Sequence, residues 1–492
     1  MRNVGRLIAD NSIEAPSSTN LMQGALAGMA NAVGDAPYTA YLPPQDQEEY
    51  LRDMDGQYAG VGMANFVKDA ASGEFYFVPI ANSPASDAGL KFGDRLVAID
   101  GRNVDETSLF ELVSNLRGKE NSSVELTIRP QAHINTDERR AEGANDDEQK
   151  TQRNGTHDEE VVTKTLERRV IQQDVVLGDR RDEQGNWIYT LQSHPDVGYV
   201  AVEQFTSSVA TLFAEALKKL ESEQIEKVIL DFRNNPGGSL IDAVEICNSL
   251  LASGSPIVET RNVKGASHKY YARYNTQRRF KIALLVNGAS ASAAEIVAAA
   301  LQDAGIAVVV GERTYGKGTV QSVYEIPGKM GILHMTTASF WRPSGRPIHR
   351  KHDATSEDEW GVTPDQGYET KLTSAQRFYT NWTRRVRVSE NNAKAANADA
   401  FALMTKETVA LLDALENGAP IERAEAAFEL GVEPESLQLS AKDGQTDQEG
   451  AQSKSEDATG NRKDDKRETF KPLGRAPYFD PQLDRALDYL NN

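Results

Sequence analysis

Near the N-terminus Leu21, Ala25, Leu26 and Met29 recur at the spacing of one helix face before the Asp35-Ala36-Pro37 break, so residues 1 to about 50 read as helix and connector. This is a small cap rather than a catalytic core. From about Gly56 to Arg129 the pattern becomes short apolar runs between glycines: Gly60-Val61-Gly62-Met63, Phe75 to Ile80, Leu96 to Ile99 and Val124 to Ile128. Such runs predict the strands of a compact β-rich module. Residues 131 to 160 are almost entirely polar and charged and predict a disordered insertion, and a second tract of the same kind runs from about Lys442 to Glu468.

Between the two tracts the pattern is the most regular in the chain. A strand-like Gly198 to Val202 precedes a helical Ser207 to Ser222, a buried run Val228-Ile229-Leu230, a glycine-rich turn and a helix from about Ser239 to Leu251. The order then repeats: strand Ile282 to Val286, helix Ala293 to Asp303, a stop at Gly305, strand Ile306 to Val310. Strands alternating with helices of this length predict an α/β layer built on crossover units.

At 492 residues the chain is too long for one core, and two or three domains are expected. A net charge of −19 argues against nucleic acid as a partner, since phosphate binding needs clustered Lys and Arg. The single cysteine, Cys247, sits in an apolar helical stretch; it excludes an intrachain disulfide and a cysteine-rich metal site, and reads as core packing. No apolar run is long enough to cross a bilayer, and Met1 to Asp10 lacks the pattern of a secretory signal.

In an α/β sheet, reactive groups collect where strands end and helices begin, because backbone N–H groups there are unpaired. Two such places stand out: Asp231-Phe232-Arg233-Asn234-Asn235-Pro236-Gly237-Gly238, and Asn287-Gly288-Ala289-Ser290-Ala291-Ser292-Ala293-Ala294-Glu295. A serine at a helix start is commonly a cap, and Ser290 or Ser292 alone would suit that role. The segment Gly311 to Gln321 shifts the balance, because Lys317 lies between Gly316 and Gly318 just after an apolar strand, where backbone rather than a solvated helix face positions it. A phosphate loop does not fit Gly316-Lys317-Gly318-Thr319: Ala307 would stand where the first glycine is required, and Val320 to Ile326 reads as strand. None of the seven histidines lies in a motif-like turn, no Gly-x-Ser-x-Gly elbow occurs and no His-Glu-x-x-His pair occurs, which disfavours a histidine triad and a zinc protease. His194, His268 and His334 read as ordinary surface or core residues.

These segments resemble the C-terminal processing peptidases, the tail-specific proteases of the S41 family that use a Ser/Lys dyad. Further matches are Phe340-Trp341-Arg342-Pro343-Ser344-Gly345, Gly361-Val362-Thr363-Pro364-Asp365 and Asp480-Pro481-Gln482-Leu483-Asp484-Arg485-Ala486-Leu487. The resemblance implies an α/β, crotonase-like (ClpP-like) protease core with an inserted β-rich PDZ domain and helical N- and C-terminal regions. It places the nucleophile on Ser292 with Ser290 as a structural neighbour, the general base on Lys317, the glutamine that holds the lysine on Gln321, and the oxyanion donors on the N–H groups of Gly238 and Ala293. The chemistry requires a lysine buried away from opposite charge, so that desolvation lowers its pKa and it can take the serine proton. Each oxyanion donor typically lowers the barrier by roughly 3 kcal/mol. Glu295, one turn past Ser292, would favour the charged lysine and is assigned no catalytic role.

Residues 56 to 130 resemble a PDZ domain, most clearly from Ser83 to Gly101; such a domain adds a peptide as an extra strand and captures its terminal carboxylate on backbone amides, and Gly60, Val61, Gly62 and Met63 are the expected carboxylate loop. The expected division is a helical cap over 1–52, the PDZ-like domain over 53–130, the charged insertion over 131–165, the protease core over 166–370 and a helical extension over 371–492 holding the polar tract 440–468. The resemblance implies protein or peptide substrates with C-terminal tails, no cofactor and no metal, and it leaves room for a homo-oligomer and a membrane-associated location. Because family members carry an export signal or anchor ahead of the cap, a cell-envelope or periplasmic location is expected. A PDZ-type scaffold without activity and a crotonase-fold enzyme acting on thioesters are the competing readings.

Overall fold

The structure is a computed structural model that describes residues 2–130, 161–372 and 480–492, apart from 15, 36–37, 69–71, 81, 92, 106, 183, 275–279 and 356, together with 376–377, 380–381 and 384. The polar tracts 131–160 and 440–468 lie outside the described residues.

The centre is a five-stranded sheet in the order β1 (Val176–Leu177), β2 (Val197–Val202), β3 (Lys227–Asp231), β4 (Lys281–Val286) and β5 (Ala307–Gly311). β2 to β5 run parallel, with Gly198 opposite Val228, Ile229 opposite Ala283 and Leu284 opposite Val309; β1 is antiparallel to β2. A parallel sheet whose strands are apolar on both faces must be covered on both. Val200, Val202, Val228, Leu230, Ile282, Leu284 and Val309 pack with helices α1 (Val209–Ser222), α2 (Leu240–Asn248) and α3 (Ala293–Asp303). The alternate residues Tyr199, Ala201, Ile229, Ala283, Leu285 and Val310 pack with Leu483, Ala486, Leu487 and Leu490 of α4 (Pro481–Asn491). The last helix is therefore a wall of the core and not part of an appended extension. Residues Ala293 to Leu301 of α3 are buried around the whole helix, which small alanines permit.

A second sheet joins Pro256–Asn262, Ser267–Tyr271, Thr319–Glu325 and Ile332–Trp341 to a strand from the N-terminal region, Ala40–Leu42. Ala40 pairs with His334 and Leu42 with Ile332, so the cap is stitched into the core.

The β-rich module is an antiparallel sheet in the order Met63–Lys68, Phe75–Pro79, Arg95–Ile99, Ser123–Arg129, Val162–Glu167, with Arg102–Asn103 beside Arg95–Ile99. Phe75, Phe77, Leu96, Leu112 and Leu126 form its core, and helix Leu109–Leu116 starts at a Ser108/Glu111 capping box. The boundaries expected at 130 and 166 move. Val162–Glu167 pairs residue for residue with Ser123 to Ile128, so two neighbouring strands of the module lie on either side of the polar tract in sequence. Arg169–Gln172 then pairs with Gln57–Gly60, closing the module near Gln172. Only Leu166 of Val162–Glu167 is buried, so its side chains carry little apolar signal; the pairing is a backbone demand of the neighbouring strand.

Candidate active site

Because β3 and β4 are parallel neighbours, their C-terminal ends lie side by side, and the turns that leave them are tied together. Ala291 N–H donates to Asn235 O at 2.9 Å, Asn234 N–H to Asn287 Oδ1 at 3.0 Å, and Asn287 Nδ2 to Asn234 Oδ1 at 2.9 Å. Ser290, wholly buried, donates its hydroxyl to Phe232 O at 2.8 Å and accepts from Asn287 N–H at 2.9 Å. Ser292 follows at the entry to α3 with φ 56° and ψ −115°, a conformation that costs a non-glycine residue on the order of 1–3 kcal/mol.

The 231–238 turn backs directly onto Ser292. A Cβ on Gly237 would stand 2.6 Å from Ser292 Cβ and 2.9 Å from Ala293 N. Gly237 N–H is taken by Asn235 Oδ1 at 2.8 Å, whereas neither Gly238 N–H nor Ala293 N–H has a hydrogen-bond partner among the described residues. Phe205 clamps this turn: its N–H donates to Gly237 O and its carbonyl accepts from Ser239 N–H, both at 2.8 Å.

Glu295 joins the serine to the lysine. Its carboxylate, wholly buried, accepts from Ser292 N–H at 2.9 Å, Thr314 Oγ1 at 2.5 Å, Gly316 N–H at 2.7 Å and Lys317 N–H at 2.8 Å. Burial pushes its pKa up to about 7 against the pull of those four hydrogen bonds. Reading Glu295 only as a charge near the lysine misses this brace. The signal was present in the capping-box spacing Ser292-x-x-Glu295.

Lys317 is half-buried, and burial lowers its pKa against the opposing effect of the Glu295 charge. Among the described residues no ion pair or hydrogen bond reaches its Nζ, which stands 5.0 Å from the centre of the Tyr38 ring. Gln321 Nε2 donates to Thr319 Oγ1 at 2.8 Å and Thr336 Oγ1 at 3.4 Å; no hydrogen bond joins Gln321 to Lys317 in this arrangement.

Beneath the turn lies a buried charge network. Arg233 grips Asp231 through Nε at 2.9 Å and Nη2 at 2.6 Å, and its Nη1 reaches Asp480 at 2.8 Å and Gln482 Oε1 at 3.2 Å, while Tyr199 donates to Asp231 at 2.7 Å. Burial alone would raise Asp231, but the guanidinium beside it holds the carboxyl down at about 2. The network ties α4 to the turn that carries Gly238.

In the module, Val61 O accepts from Ala85 N–H and Gly62 O from Ile80 N–H, both at 2.8 Å, while the N–H groups of Val61 and Gly62 have no partner among the described residues. Gly60 is paired into the Gln57–Gly60 strand and Met63 opens the outer strand of the sheet. Among the described residues, no group of three or more His, Cys, Asp or Glu side chains is placed to hold a metal, and no helix is long and apolar enough to cross a membrane.

The peptidase family S41 model matches residues 196–368 and a PDZ-domain model matches residues 78–130, the latter beginning after the Gly60–Met63 loop. The carboxy-terminal processing protease CtpB of Bacillus subtilis is 29% identical over 346 residues, covering 70% of this chain, and this chain spans 64% of that protein's length. A carboxyl-terminal-processing protease of Picosynechococcus sp. is 31% identical over 360 residues, covering 73% of this chain and 76% of its own length. Among solved structures, a photosystem II D1 C-terminal processing protease matches at 24% identity and a TM-score of 0.43, over 78% of this chain and 90% of that chain.

Proposed function

The chain belongs to the carboxyl-terminal processing proteases of peptidase family S41, with a PDZ domain, and from that premise we propose that it is a serine endopeptidase that cleaves proteins near their C-termini through a Ser292/Lys317 dyad on a crotonase-like core. The observation that carries this reading is the pair of amides, Gly238 N–H and Ala293 N–H, without a hydrogen-bond partner among the described residues, beside a serine held in a strained elbow. Neutral Lys317 takes the proton from Ser292 Oγ as the oxygen attacks the scissile carbonyl; the ammonium then returns it to the departing amine. Gly238 and Ala293 receive the oxyanion, whose charge exists only in the transition state and the tetrahedral intermediate. Water hydrolyses the acyl-enzyme by the same route. Glu295 is a positioning residue, and Gln321 steadies the lysine once the site engages substrate.

The substrates are proteins with C-terminal tails. The Val61 and Gly62 amides receive the tail carboxylate, with the peptide lying along the outer strand Met63–Lys68. Occupancy is felt at the core through the junction where Gln173 N–H donates to Gly56 O at 2.9 Å and Ser207 Oγ to Asp55 at 2.8 Å, on the same loop as Phe205. The place of action is the cell envelope, as for the family.

The test is to incubate wild type, Ser292→Ala and Lys317→Ala with an unstructured protein ending in an apolar tail, following cleavage by mass spectrometry from about pH 6 to 10. Cleavage by wild type alone, rising with pH, is expected. Equal cleavage by all three sinks the dyad, and tail binding without cleavage by any would favour a scaffold.

A further inference from the structure

The N-terminal strand brings a residue to the site that the reading above does not use. We propose that Tyr38 is a positioning residue for the general base: its ring roofs the Lys317 amine, holding the side chain in place and keeping water off it. This inference rests on Lys317 being that base. Tyr38 is well placed for such a role, because Tyr38 N–H and Thr39 N–H both donate to Asp35 O, at 2.8 and 3.1 Å. Thr39 Oγ1 donates to Asp35 at 3.1 Å and accepts from Thr336 N–H at 3.3 Å, and Ala40–Leu42 is paired to Ile332–His334. Tyr41 adds a hydrogen bond from its hydroxyl to Met330 O. The ring is thus carried by backbone fastened to the strand beside Gln321, whose partner across the pair is Thr336.

A lysine that must lose a proton cannot have a carboxylate as its partner, yet its four-carbon stem needs something to hold it. An aromatic face attracts the ammonium weakly, which favours the charged form, and excludes solvent, which disfavours it; in the proposal the exclusion of water is the larger effect. Among the described residues, the other titratable groups that act on or feel Lys317 are Glu295 from α3, which favours the ammonium, and His334 from Ile332–Trp341, itself lowered by burial and by the lysine charge. The balance between water exclusion and Glu295 therefore depends on the roof.

The experiment is the pH profile of kcat/KM for wild type, Tyr38→Ala, Tyr38→Gln and Tyr38→Phe on the same unstructured substrate. Opening the roof restores water to the amine and raises its pKa, so the limb on which activity rises with pH moves to higher pH. For Ala and Gln we expect a displacement of about one pH unit, with kcat/KM at pH 7 down about tenfold and the alkaline plateau within about twofold of wild type. Phe keeps the ring and the wild-type midpoint. Gln fills the same length of chain and carries the test should Ala fail to fold. Profiles that are scaled down with an unmoved midpoint would overturn the proposal, as would a Phe variant displaced like Ala. An active Lys317→Ala enzyme would instead remove the dyad reading itself, whereas an inactive one with superimposed Tyr38 profiles defeats only the role given to Tyr38.

Discussion

The protease core and the PDZ module are both sheets backed by helices, but they treat their backbone amides differently. The core sheet is parallel but for β1 and is covered on both faces by α1 to α4, and the amides of Gly238 and Ala293, without a hydrogen-bond partner among the described residues, lie beside Ser292, in turns locked by Asn235, Asn287 and Phe205. The module is antiparallel and ends on Met63–Lys68, with the amides of Val61 and Gly62 beside that outer strand. In the proposed reaction the core amides receive a charge that exists only in passing, so rigidity would serve them. In the module they sit where a whole strand of peptide can be added. A buried carboxylate marks the same contrast: Asp231 is enclosed by Arg233, itself bound to Asp480, whereas Glu74 of the module is shared by Arg95 at 3.3 Å and Arg129 at 2.8 Å, both partly open to water.

The hardest test of that contrast is Asp231→Asn, which leaves Arg233 buried with half its counter-charge and should cost about 3–5 kcal/mol in denaturant unfolding. The sign with pH follows from the depressed pKa. The contribution is present above the unfolded carboxyl value of about 4 and is lost as pH falls toward about 2, so wild type should weaken across that window and the variant should lack the step. An Asp231→Asn protein as stable as wild type would show the network to be dispensable.

Next in size is Gly238→Ala. Gly238 has φ 136°, and a Cβ there would overlap the Phe205 carbonyl oxygen, so the turn must shift and carry the amide off its line. Loss of about 10²–10³ in kcat/KM is expected, with tail binding to the module unchanged. Undiminished turnover would remove Gly238 from the oxyanion site.

The smallest effect sharpens the division between the regions. A Cβ on Gly62, at φ 77°, would overlap the Ser83 side chain, so Gly62→Ala would force open the loop proposed to take the carboxylate. Tail affinity should fall about tenfold, roughly 1.4 kcal/mol, while a fluorophosphonate continues to label Ser292 at the wild-type rate. Loss of labelling as well would mean that the two regions act as a single unit.

Several residues were legible before any coordinates. The turns after β3 and β4 announce themselves by apolar runs ending in Asn, Gly and Ser, and Lys317 by its flanking glycines, because each is a local departure from a periodic pattern. The choice of Gly238 over Gly237 comes from the family resemblance; in the fold the Asn235 side chain takes the Gly237 amide, which supports that proposal. Glu295 reads from the sequence only as a charge near the lysine, and its link to Thr314, Gly316 and Lys317 stays hidden because those residues are about twenty positions away in sequence.

Hydrophobic period and turn chemistry are written in neighbouring residues, so the sequence by itself determined the α/β core, the β-rich module and the segments where a nucleophile and a base could lie. Tertiary structure alone decided that Val162–Glu167 completes the module, that Pro481–Asn491 walls the core, and that Tyr38 stands over Lys317. Those pairings join residues far apart along the chain, and they are selected by which backbone edges and apolar faces remain uncovered once the local elements have formed.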